Sequence, residues 1–301
     1  MSQVFDVLVI GAGPGGYIAA IRAAQLGFKV ACAEANPYAD PKGEPRLGGT
    51  CLNVGCIPSK ALLASSEEFE KIGHHVANHG ITVGKVSIDI AKMLARKDEI
   101  VTKMTGGINF LFKKNKVTSL KGHASFEGKG ADGYQIKITG KDAGTVIAKN
   151  VIIATGSKAR HLPGITVDNV LICDNEGALN FDSLPKRLGV IGAGVIGLEL
   201  GSVWRRVGSQ VTVLEALPTF LGACDEGIAK EAKKIFTKQG LDMHMGVKID
   251  KVQADKKGVV VSYQDSAGKP QKLECDRLIV SVGRVPNTEG LKLQAVQLKT
   301  D

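Results

Sequence analysis

Two stretches with the same pattern decide the fold: residues 7–20, VLVIGAGPGGYIAA, and residues 188–201, LGVIGAGVIGLELG. Each has an apolar run, a glycine-rich turn and a second apolar run, which is the order strand, turn, helix. The glycines of the second copy begin at Gly192, 181 positions after Gly11. Because this offset is far longer than the period of a solenoid repeat, the repetition predicts two duplicated nucleotide-binding units.

The first copy carries the pattern G-x-G-x-x-G at Gly11, Gly13 and Gly16, between a predicted strand and a predicted helix. In this context the first glycine makes the turn, the second lets the backbone approach a pyrophosphate, and the third packs helix against strand. The helix N-terminus favours an anion. Glu34 lies 23 positions after Gly11, where a carboxylate can accept hydrogen bonds from ribose hydroxyls. A dinucleotide containing adenosine is therefore predicted.

The second copy repeats both spacings. Gly192, Gly194 and Gly197 form the same pattern, and Glu215 lies 23 positions after Gly192. The alternative, in which the glycines only punctuate loops and the glutamates are surface charges, requires both spacings to coincide twice. A carboxylate at Glu215 can hold a 2′-hydroxyl but repels a 2′-phosphate, so this copy is expected to prefer NAD to NADP.

The composition is typical of a soluble α/β protein and excludes disordered and collagen-like chains. Hydrophobic residues make up 44% of the 301-residue chain and aromatic residues 5%, and 37 residues are glycine. The net charge of +9 comes from scattered basic residues, so we expect solvated surface and no nucleic-acid partner. No run approaches the roughly 18 apolar residues of a membrane span. The first apolar run is interrupted by Asp6 and indicates a strand, so a cytoplasmic location is expected.

Apolar periodicity and turn residues predict alternating strands and helices. A helix carrying Cys51 and Cys56 is expected after a polar loop at residues 43–49. This alternation predicts parallel sheets with right-handed crossovers, and hence two Rossmann-like domains of the α/β class. The predicted strands cover residues 5–10, 29–34, 135–138, 146–154, 187–191 and 210–214, with short strands near Val259 and Leu278. The other predicted helices cover residues 15–26, 88–114, 195–207 and 226–239.

The segment GGTCLNVGCIPSK, residues 48–60, places Cys51 and Cys56 five positions apart. An ideal helix separates such residues by about 7.5 Å, beyond the usual disulfide Cα range of about 4.4 to 6.8 Å. A disulfide here requires a distorted helix, for which Gly55 supplies freedom and Pro58 is tolerated early in a helix. A constrained disulfide of this kind is exchangeable. Two alternatives are a zinc site, which lacks further ligands, and two buried thiols.

Four other cysteines stand alone in apolar or mixed surroundings and are predicted to be unpaired thiols, and no metal site is predicted. They are Cys32, Cys173, Cys224 and Cys275.

These motifs together resemble the flavoprotein pyridine-nucleotide disulfide oxidoreductases over essentially the whole chain. The resemblance rests on residues 48–63, GGTCLNVGCIPSKALL, on both glycine patterns, on ATGS at 154–157 and on VGRVPN at 282–287. CLNVGC is similar to the dihydrolipoyl dehydrogenase branch. Glutathione and mercuric reductases usually have valine where Leu52 stands, and they favour a basic, NADP-binding environment where Glu215 stands.

The resemblance implies an FAD-binding domain at residues 1–155, an NAD-binding domain at 156–282, and a return into the FAD domain at 283–301. Each domain is expected to be of the three-layer ββα type with a small antiparallel meander. In addition to the two glycine patterns and their glutamates, the implied cofactor-binding residues are Thr50, Lys60, Ala124, Thr155, Gly156, Ser157, Ile249 and Gly283.

The resemblance also implies a mechanism. A dihydrolipoyl thiolate attacks Cys51, Cys56 becomes the thiolate that donates charge to the flavin, and reduced flavin passes a hydride to NAD. Lys60 is expected near the reactive flavin nitrogen, paired with Glu199. The implied partners are dihydrolipoyl-bearing protein domains of 2-oxo acid dehydrogenase or glycine-cleavage complexes, and the full-length family members are homodimers.

Two other functions are compatible with the same residues. One is another disulfide reductase, such as a glutathione or mercuric reductase, and the other is a nucleotide-binding fragment without turnover. The family's second FAD segment and interface domain, which carries the catalytic base, fall beyond Asp301. We therefore expect little activity and weak FAD binding from these 301 residues, and we assign the base to no histidine. The histidines so excluded are His74, His75, His79, His123, His161 and His244.

Overall fold

The structure is a computed structural model, and it describes residues 3–39, 43 and 45–301. Residue 44 of the predicted loop at 43–49 lies outside the described residues. The helices are α1 (Pro14–Gln25), α2 (Gly49–Val54), α3 (Cys56–His74), α4 (Ile90–Lys114), α5 (Asn175–Ala178), α6 (Val195–Arg206) and α7 (Glu226–Lys238). Short 3-10 turns lie at Val76–His79 and Leu293–Val296.

The strands alternate with these helices or join them in meanders. They are β1 (Gln3–Ile10), β2 (Val30–Glu34), β3 (Thr118–Lys121), β4 (His123–Gly130), β5 (Gly133–Thr139), β6 (Gly144–Ile153), β7 (Ser157–Ala159), β8 (Ile172–Cys173), β9 (Arg187–Ile191), β10 (Gln210–Glu215), β11 (Leu241–Met245), β12 (Lys248–Asp255), β13 (Gly258–Gln264), β14 (Pro270–Cys275), β15 (Arg277–Val280) and β16 (Arg284–Pro286). Among the helices of the described residues, none is both long and apolar enough to cross a membrane.

The chain forms two compact units, and the first contains Met1–Ile57, Glu99–Lys158 and Pro286–Asp301. Its sheet has the strand order β3-β2-β1-β6-β5-β4. The first four of these strands are parallel, and β6, β5 and β4 form an antiparallel meander. The predicted parallel core and the predicted meander therefore lie in one mixed sheet.

Both faces of this sheet are covered, as the apolar sequence of β1 requires. Leu8 and Ile10 belong to one core cluster together with residues of the meander such as Ile136. Val7 and Val9, which alternate with them, belong to a second cluster that includes residues of α1. Since successive strand residues point to opposite faces, an unbroken apolar run buries both sides of the strand.

The second compact unit contains Pro58–Asp98 and Ala159–Val285. Its sheet has the order β11-β10-β9-β15-β8 and is parallel throughout. An antiparallel sheet, β12-β13-β14, packs its apolar residues into the same core as the parallel strands. In that core Leu214, Val261 and Leu278 are fully buried.

The predicted α/β class with two Rossmann-like domains is confirmed by this mixed architecture. β9 has the predicted bounds, and α6 and α7 each end one residue earlier than predicted. Several strands were not predicted, among them β11, β12 and β14. β12 has the sequence KIDKVQAD, which lacks a clear apolar alternation, and it is extended because it pairs with β13. The predicted domain limits remain predictions, and residues 58–98 belong to the second compact unit.

Candidate functional site

The first glycine pattern forms a turn that has no room for side chains. Gly11 has φ +99°, and a Cβ on it would lie 2.4 Å from the carbonyl oxygen of Ala154. A Cβ on Gly16 would lie 1.7 Å from the carbonyl oxygen of Gly11. α1 begins immediately after Gly13, which offers no side chain to cap it. The turn and the helix N-terminus thus have the close backbone approach that a pyrophosphate needs.

The Glu34 carboxylate at the end of β2 is buried and holds this turn in place. Its Oε2 accepts a hydrogen bond from the backbone N–H of Ala12 at 2.8 Å. Its Oε1 accepts from the N–H groups of Ala35 at 2.9 Å and Asn36 at 2.8 Å. A carboxylate has about four lone-pair positions, so one remains for a ribose hydroxyl. The sequence predicted the ribose role but not the contact with the turn.

The second glycine pattern is built in the same way. A Cβ on Gly192, which has φ +108°, would lie 2.4 Å from the carbonyl oxygen of Ser281, and one on Gly197 would lie 2.1 Å from that of Gly192. Gly194 precedes α6 without a side-chain cap. The carboxylate of Glu215 accepts from the N–H of Ala193 at 2.7 Å. The relationship of glutamate to turn found in the first unit is therefore repeated in the second.

The cysteine segment folds as two helices instead of one. α2 ends at Val54, Gly55 has φ −140° and ψ −115°, and α3 begins at Cys56. A Cβ on Gly55 would lie 3.0 Å from the carbonyl oxygen of Thr50, which is a tight approach. The predicted distortion of the helix between the cysteines is thus confirmed. Cys51 is half-buried and Cys56 is exposed, and their disulfide stays a prediction.

Gly48, which precedes α2, and Gly49, its first residue, place the cysteine helix against the first glycine turn. Gly48 has φ +106° and donates its N–H to the carbonyl of Ala12 at 2.8 Å. Gly49 has φ +56°, and a Cβ on it would lie 2.7 Å from the Cα of Gly13. These glycines were not predicted as site residues, although consecutive glycines at the start of a helix are a recognisable sign of close backbone approach. Thr50, the next residue, is therefore close to the turn.

Lys60 and Glu199 form the ion pair that the resemblance implied. Nζ of Lys60 lies 2.6 Å from Oε1 of Glu199 and 2.7 Å from its Oε2. Oγ of Ser59 lies 3.4 Å from the same carboxylate. These contacts join α3 to α6 within the second compact unit. The pairing is observed, whereas the catalytic role of both residues stays a prediction.

Three predicted contacts of the first unit lie at the end of β6 and after it. Thr155 and Gly156 follow β6, and Ser157 begins β7. Gly156 has φ +68°, and its carbonyl accepts from the N–H of Asn287 at 2.9 Å. Ala124 is buried in β4 opposite Ile138. Ala124 thus belongs to the core beneath the meander.

Two further predicted contacts lie in the second unit. Gly283 has φ +109°, and its carbonyl accepts from the N–H of Arg160 at 3.0 Å. Ile249 lies in β12 opposite Tyr263 and packs into the core. The N–H of Val247 donates to the carbonyl of Glu215 at 3.0 Å. Val247 thus contacts the end of β10, where the predicted ribose-binding Glu215 lies.

The four remaining cysteines form no disulfide among the described residues, and their assignment as unpaired thiols stays a prediction. Burial raises the pKa of Cys173 to about 12 and that of Cys275 to about 11. Burial also raises the pKa of Cys32, next to Glu34. Cys224 is exposed. Within the described residues, no three or more His, Cys, Asp or Glu side chains form a cluster that could hold a metal ion.

Comparison with known proteins agrees with this geometry. Residues 5–301 match the family described as pyridine nucleotide-disulphide oxidoreductase. The chain belongs to this family. A dihydrolipoyl dehydrogenase of Cupriavidus necator is 71% identical over 301 residues, which are 100% of this chain and 63% of that protein. The mitochondrial dihydrolipoyl dehydrogenase of Pisum sativum is 46% identical, with 98% of this chain and 57% of the relative covered.

A solved structure supports the same family fold. The HOCl-induced flavoprotein disulfide reductase RclA from Escherichia coli superimposes with a TM-score of 0.80 at 26% identity, covering 98% of this chain and 60% of that one. The chain therefore spans less than two thirds of the length of these relatives.

Proposed function

We propose that this chain is part of a dihydrolipoyl dehydrogenase, which oxidises protein-bound dihydrolipoyl groups with NAD through FAD and a Cys51–Cys56 disulfide. The observation that carries the proposal is the helix break at Gly55, which separates the two cysteines beside the first glycine turn. The 71% identity to a dihydrolipoyl dehydrogenase supports this activity over that of the other disulfide reductases.

The residues present fit two dinucleotides. FAD would be held by the first glycine turn, by Glu34 and by the backbone around Thr50, where the close approaches leave no space for side chains. NAD would be held by the second turn and by Glu215, whose Oε1 accepts from the N–H of Leu217 at 2.8 Å. When bound, FAD supplies a two-electron acceptor, and NAD removes the electrons.

The cysteines carry out the disulfide exchange in the proposed reaction. A thiolate of the substrate attacks Sγ of Cys51, the Cys51–Cys56 bond breaks, and the electron pair leaves on Cys56 as a thiolate. The second thiolate of the substrate then attacks the substrate sulfur that is bonded to Cys51 in the mixed disulfide. This closes the lipoyl ring and releases Cys51 as a thiolate. The substrate thiols give their two protons to the solvent as they ionise, and the substrate's two electrons pass to the cysteine pair.

Lys60 and Glu199 would act on the charge near the flavin. The carboxylate of Glu199 fixes the ammonium of Lys60 through two short contacts and thereby restricts its rotamers. A fixed positive charge stabilises negative charge that develops on a neighbouring group. Lys60 follows Cys56 by four positions in α3.

We also propose the partners that this chemistry requires. The substrate would be the dihydrolipoyl group on a protein domain of a 2-oxo acid dehydrogenase or glycine-cleavage complex, and the full-length protein would be a homodimer. The names of the relatives in Cupriavidus and Pisum support the substrate class.

A substrate panel tests the proposal in two steps. The oxidised chain is mixed with dihydrolipoamide, glutathione or 2-mercaptoethanol. Newly formed thiols at Cys51 and Cys56 are then counted by mass spectrometry after alkylation. NADH formation is then measured with the same donors in a chain that turns over. We expect dihydrolipoamide to reduce the pair fastest, Cys51→Ser to abolish the reaction, and Cys224→Ser, at an exposed thiol elsewhere, to leave it unchanged. Equal rates with all three donors would contradict the proposed substrate.

A further inference from the structure

Asn53 lies in α2 between the two cysteines, and its side chain is tied to the turn in front of that helix. Its Nδ2 donates to the carbonyl of Gly49 at 2.9 Å and to the carbonyl of Leu47 at 3.3 Å. These two carbonyls flank Gly48 in the chain. One amide group therefore holds both ends of the three residues that lead into Thr50 and the redox cysteine.

The same three residues are held from the other side by the first glycine turn. The N–H of Gly48 donates to the carbonyl of Ala12 at 2.8 Å. The N–H of Ala12 in turn donates to Glu34 Oε2 at 2.8 Å. At Gly49 the backbone approaches Gly13 so closely that a Cβ would lie 2.7 Å from its Cα. A continuous set of contacts thus links the predicted ribose carboxylate to the start of α2.

The amide oxygen of Asn53, unlike its nitrogen, makes no hydrogen bond among the described residues. This atom, Oδ1, is buried. A flipped amide would place an oxygen against two carbonyl oxygens, so the hydrogen bonds fix the orientation. A buried acceptor without a partner is unfavourable. An apolar side chain of similar size would avoid that cost, so packing alone does not explain an asparagine at this position.

We propose that Asn53 is a positioning residue of the redox site, which sets Cys51 relative to the first glycine turn by holding residues 47–49. The functional meaning of this placement rests on the proposed disulfide exchange at Cys51. The placement itself is independent of cofactor and substrate, because every contact that carries it is within the first compact unit. It can therefore be tested on the reactivity of the thiol alone.

The experiment measures alkylation of Cys51 by iodoacetamide in the reduced chain carrying Cys56→Ser, as a function of pH. Exposed Cys224 serves as the reference thiol in the same molecule. The three buried cysteines, Cys32, Cys173 and Cys275, do not compete near neutral pH, because burial raises the pKa of each thiol. The readout is the ratio of the Cys51 rate to the Cys224 rate.

Two variants remove the proposed hydrogen bonds in different ways. Asn53→Leu keeps the size and removes both donors, and Asn53→Asp keeps the shape but turns an oxygen toward the two carbonyls. The matched control is Asn115→Leu, because Nδ2 of Asn115 also donates to a carbonyl four residues earlier, that of Leu111 at 2.8 Å.

We expect both Asn53 variants to change the rate ratio by at least about threefold, with a shifted pH midpoint, because thiolate reactivity depends on the local environment. Asn115→Leu should leave the ratio unchanged. An unaltered ratio and midpoint in both Asn53 variants would overturn the proposal. Loss of dihydrolipoamide turnover does not enter the ratio, so failure of the proposed function is distinguishable from failure of this inference.

A second measurement covers the case in which these variants do not fold, as judged by circular dichroism. Asn53→Gln keeps both N–H donors one methylene farther from the backbone. Amide hydrogen exchange at residues 48–51 is compared between this variant and the unmutated chain. Faster exchange confined to those residues supports the positioning role, and exchange at the original rate contradicts it.

Discussion

Lys60 and Glu199 are 139 positions apart in the sequence, yet the ammonium of one contacts both carboxylate oxygens of the other at 2.6 and 2.7 Å. The side chain of Lys60 is 58% exposed and that of Glu199 is 25% exposed. Ion pairs with this exposure contribute only about 0 to 1 kcal/mol to stability. Stability alone therefore does not account for the pair. If the pair acts in the reaction, its loss should lower kcat while leaving the free energy of unfolding almost unchanged.

We expect Lys60→Met and Glu199→Gln to lower kcat for dihydrolipoamide oxidation at least about tenfold in a chain that turns over, because each removes a preorganised charge. Each should change the free energy of unfolding by less than about 1 kcal/mol. Urea unfolding and steady-state kinetics give the two quantities. The control is Lys234→Met, which breaks the exposed pair with Glu231 at 3.2 Å. A similar loss of kcat in the control would remove the catalytic interpretation.

Adjacent glycines in the first turn should respond in opposite ways to alanine. A Cβ on Gly16 would lie 1.7 Å from the carbonyl oxygen of Gly11, whereas a Cβ on Gly15 would meet nothing within 4 Å. Gly16→Ala should therefore destabilise the chain by about 1 to 3 kcal/mol or prevent folding. Gly15→Ala, within α1, should be neutral or stabilising by up to about 1 kcal/mol. Urea unfolding of both variants decides, and equal stability would show that the turn relaxes around a methyl group.

The sequence was sufficient to predict the elements whose residues are buried by their own pattern. β9 is a short apolar run between turn residues, and its predicted bounds agree with the structure. α6 carries apolar residues that lie in the core, such as the fully buried Trp204. By contrast, β14, with the sequence PQKLEC, is mostly exposed. Its extended conformation comes from pairing with β13, which a local pattern does not reveal.

The site was predictable where a motif of fixed spacing carries it. Glu34 and Glu215 were found from their distance to the glycines, but their hydrogen bonds to Ala12 and Ala193 were not. The same limit applies to Gly49, whose close approach to the first turn joins segments that are distant in sequence. Spacing predicts which residue types face a ligand, whereas contacts between distant backbone segments depend on the tertiary fold.

Asp168 should make the stability of the second unit depend on pH in the acid range. Its Oδ1 accepts from the N–H groups of Val170, Leu171 and Ile172, each at 2.9 Å. Partial burial raises the pKa of Asp168, but these backbone hydrogen bonds outweigh it, so the pKa is lowered overall. A lowered pKa in the folded state stabilises the fold above the unfolded value of about 3.9, and this contribution is lost as the pH falls.

Asp168→Asn keeps an acceptor oxygen but removes the charge. We expect this variant to be less stable than the unmutated chain at pH 7, with a difference that narrows as the pH falls below about 4. Urea unfolding at a series of pH values measures the difference. If it stays constant across the acid range, the carboxylate charge does not contribute, and the turn is held by neutral hydrogen bonding alone.

The preference for NAD should depend on the charge of Glu215 and not only on its hydrogen bonds. One oxygen of this carboxylate accepts from Ala193 at 2.7 Å and the other from Leu217 at 2.8 Å, so the side chain is fixed at the end of β10. A fixed negative charge repels a 2′-phosphate, while its remaining lone pairs accept from ribose hydroxyls.

Two substitutions at this position separate charge from hydrogen bonding. Glu215→Gln retains one acceptor oxygen and should weaken the discrimination against NADP without creating a preference for it. Glu215→Arg supplies a donor that pairs with phosphate, so it should shift the ratio of NADP to NAD binding by at least about tenfold. Titration of NADH and NADPH fluorescence measures the ratio directly and needs no turnover. Either change removes an acceptor from the N–H of Ala193 or Leu217. A general loss of folding would therefore weaken the binding of NADH and NADPH equally. A ratio that is unchanged in Glu215→Arg, with the fold intact by circular dichroism, would place the specificity for NAD in other residues of the second unit.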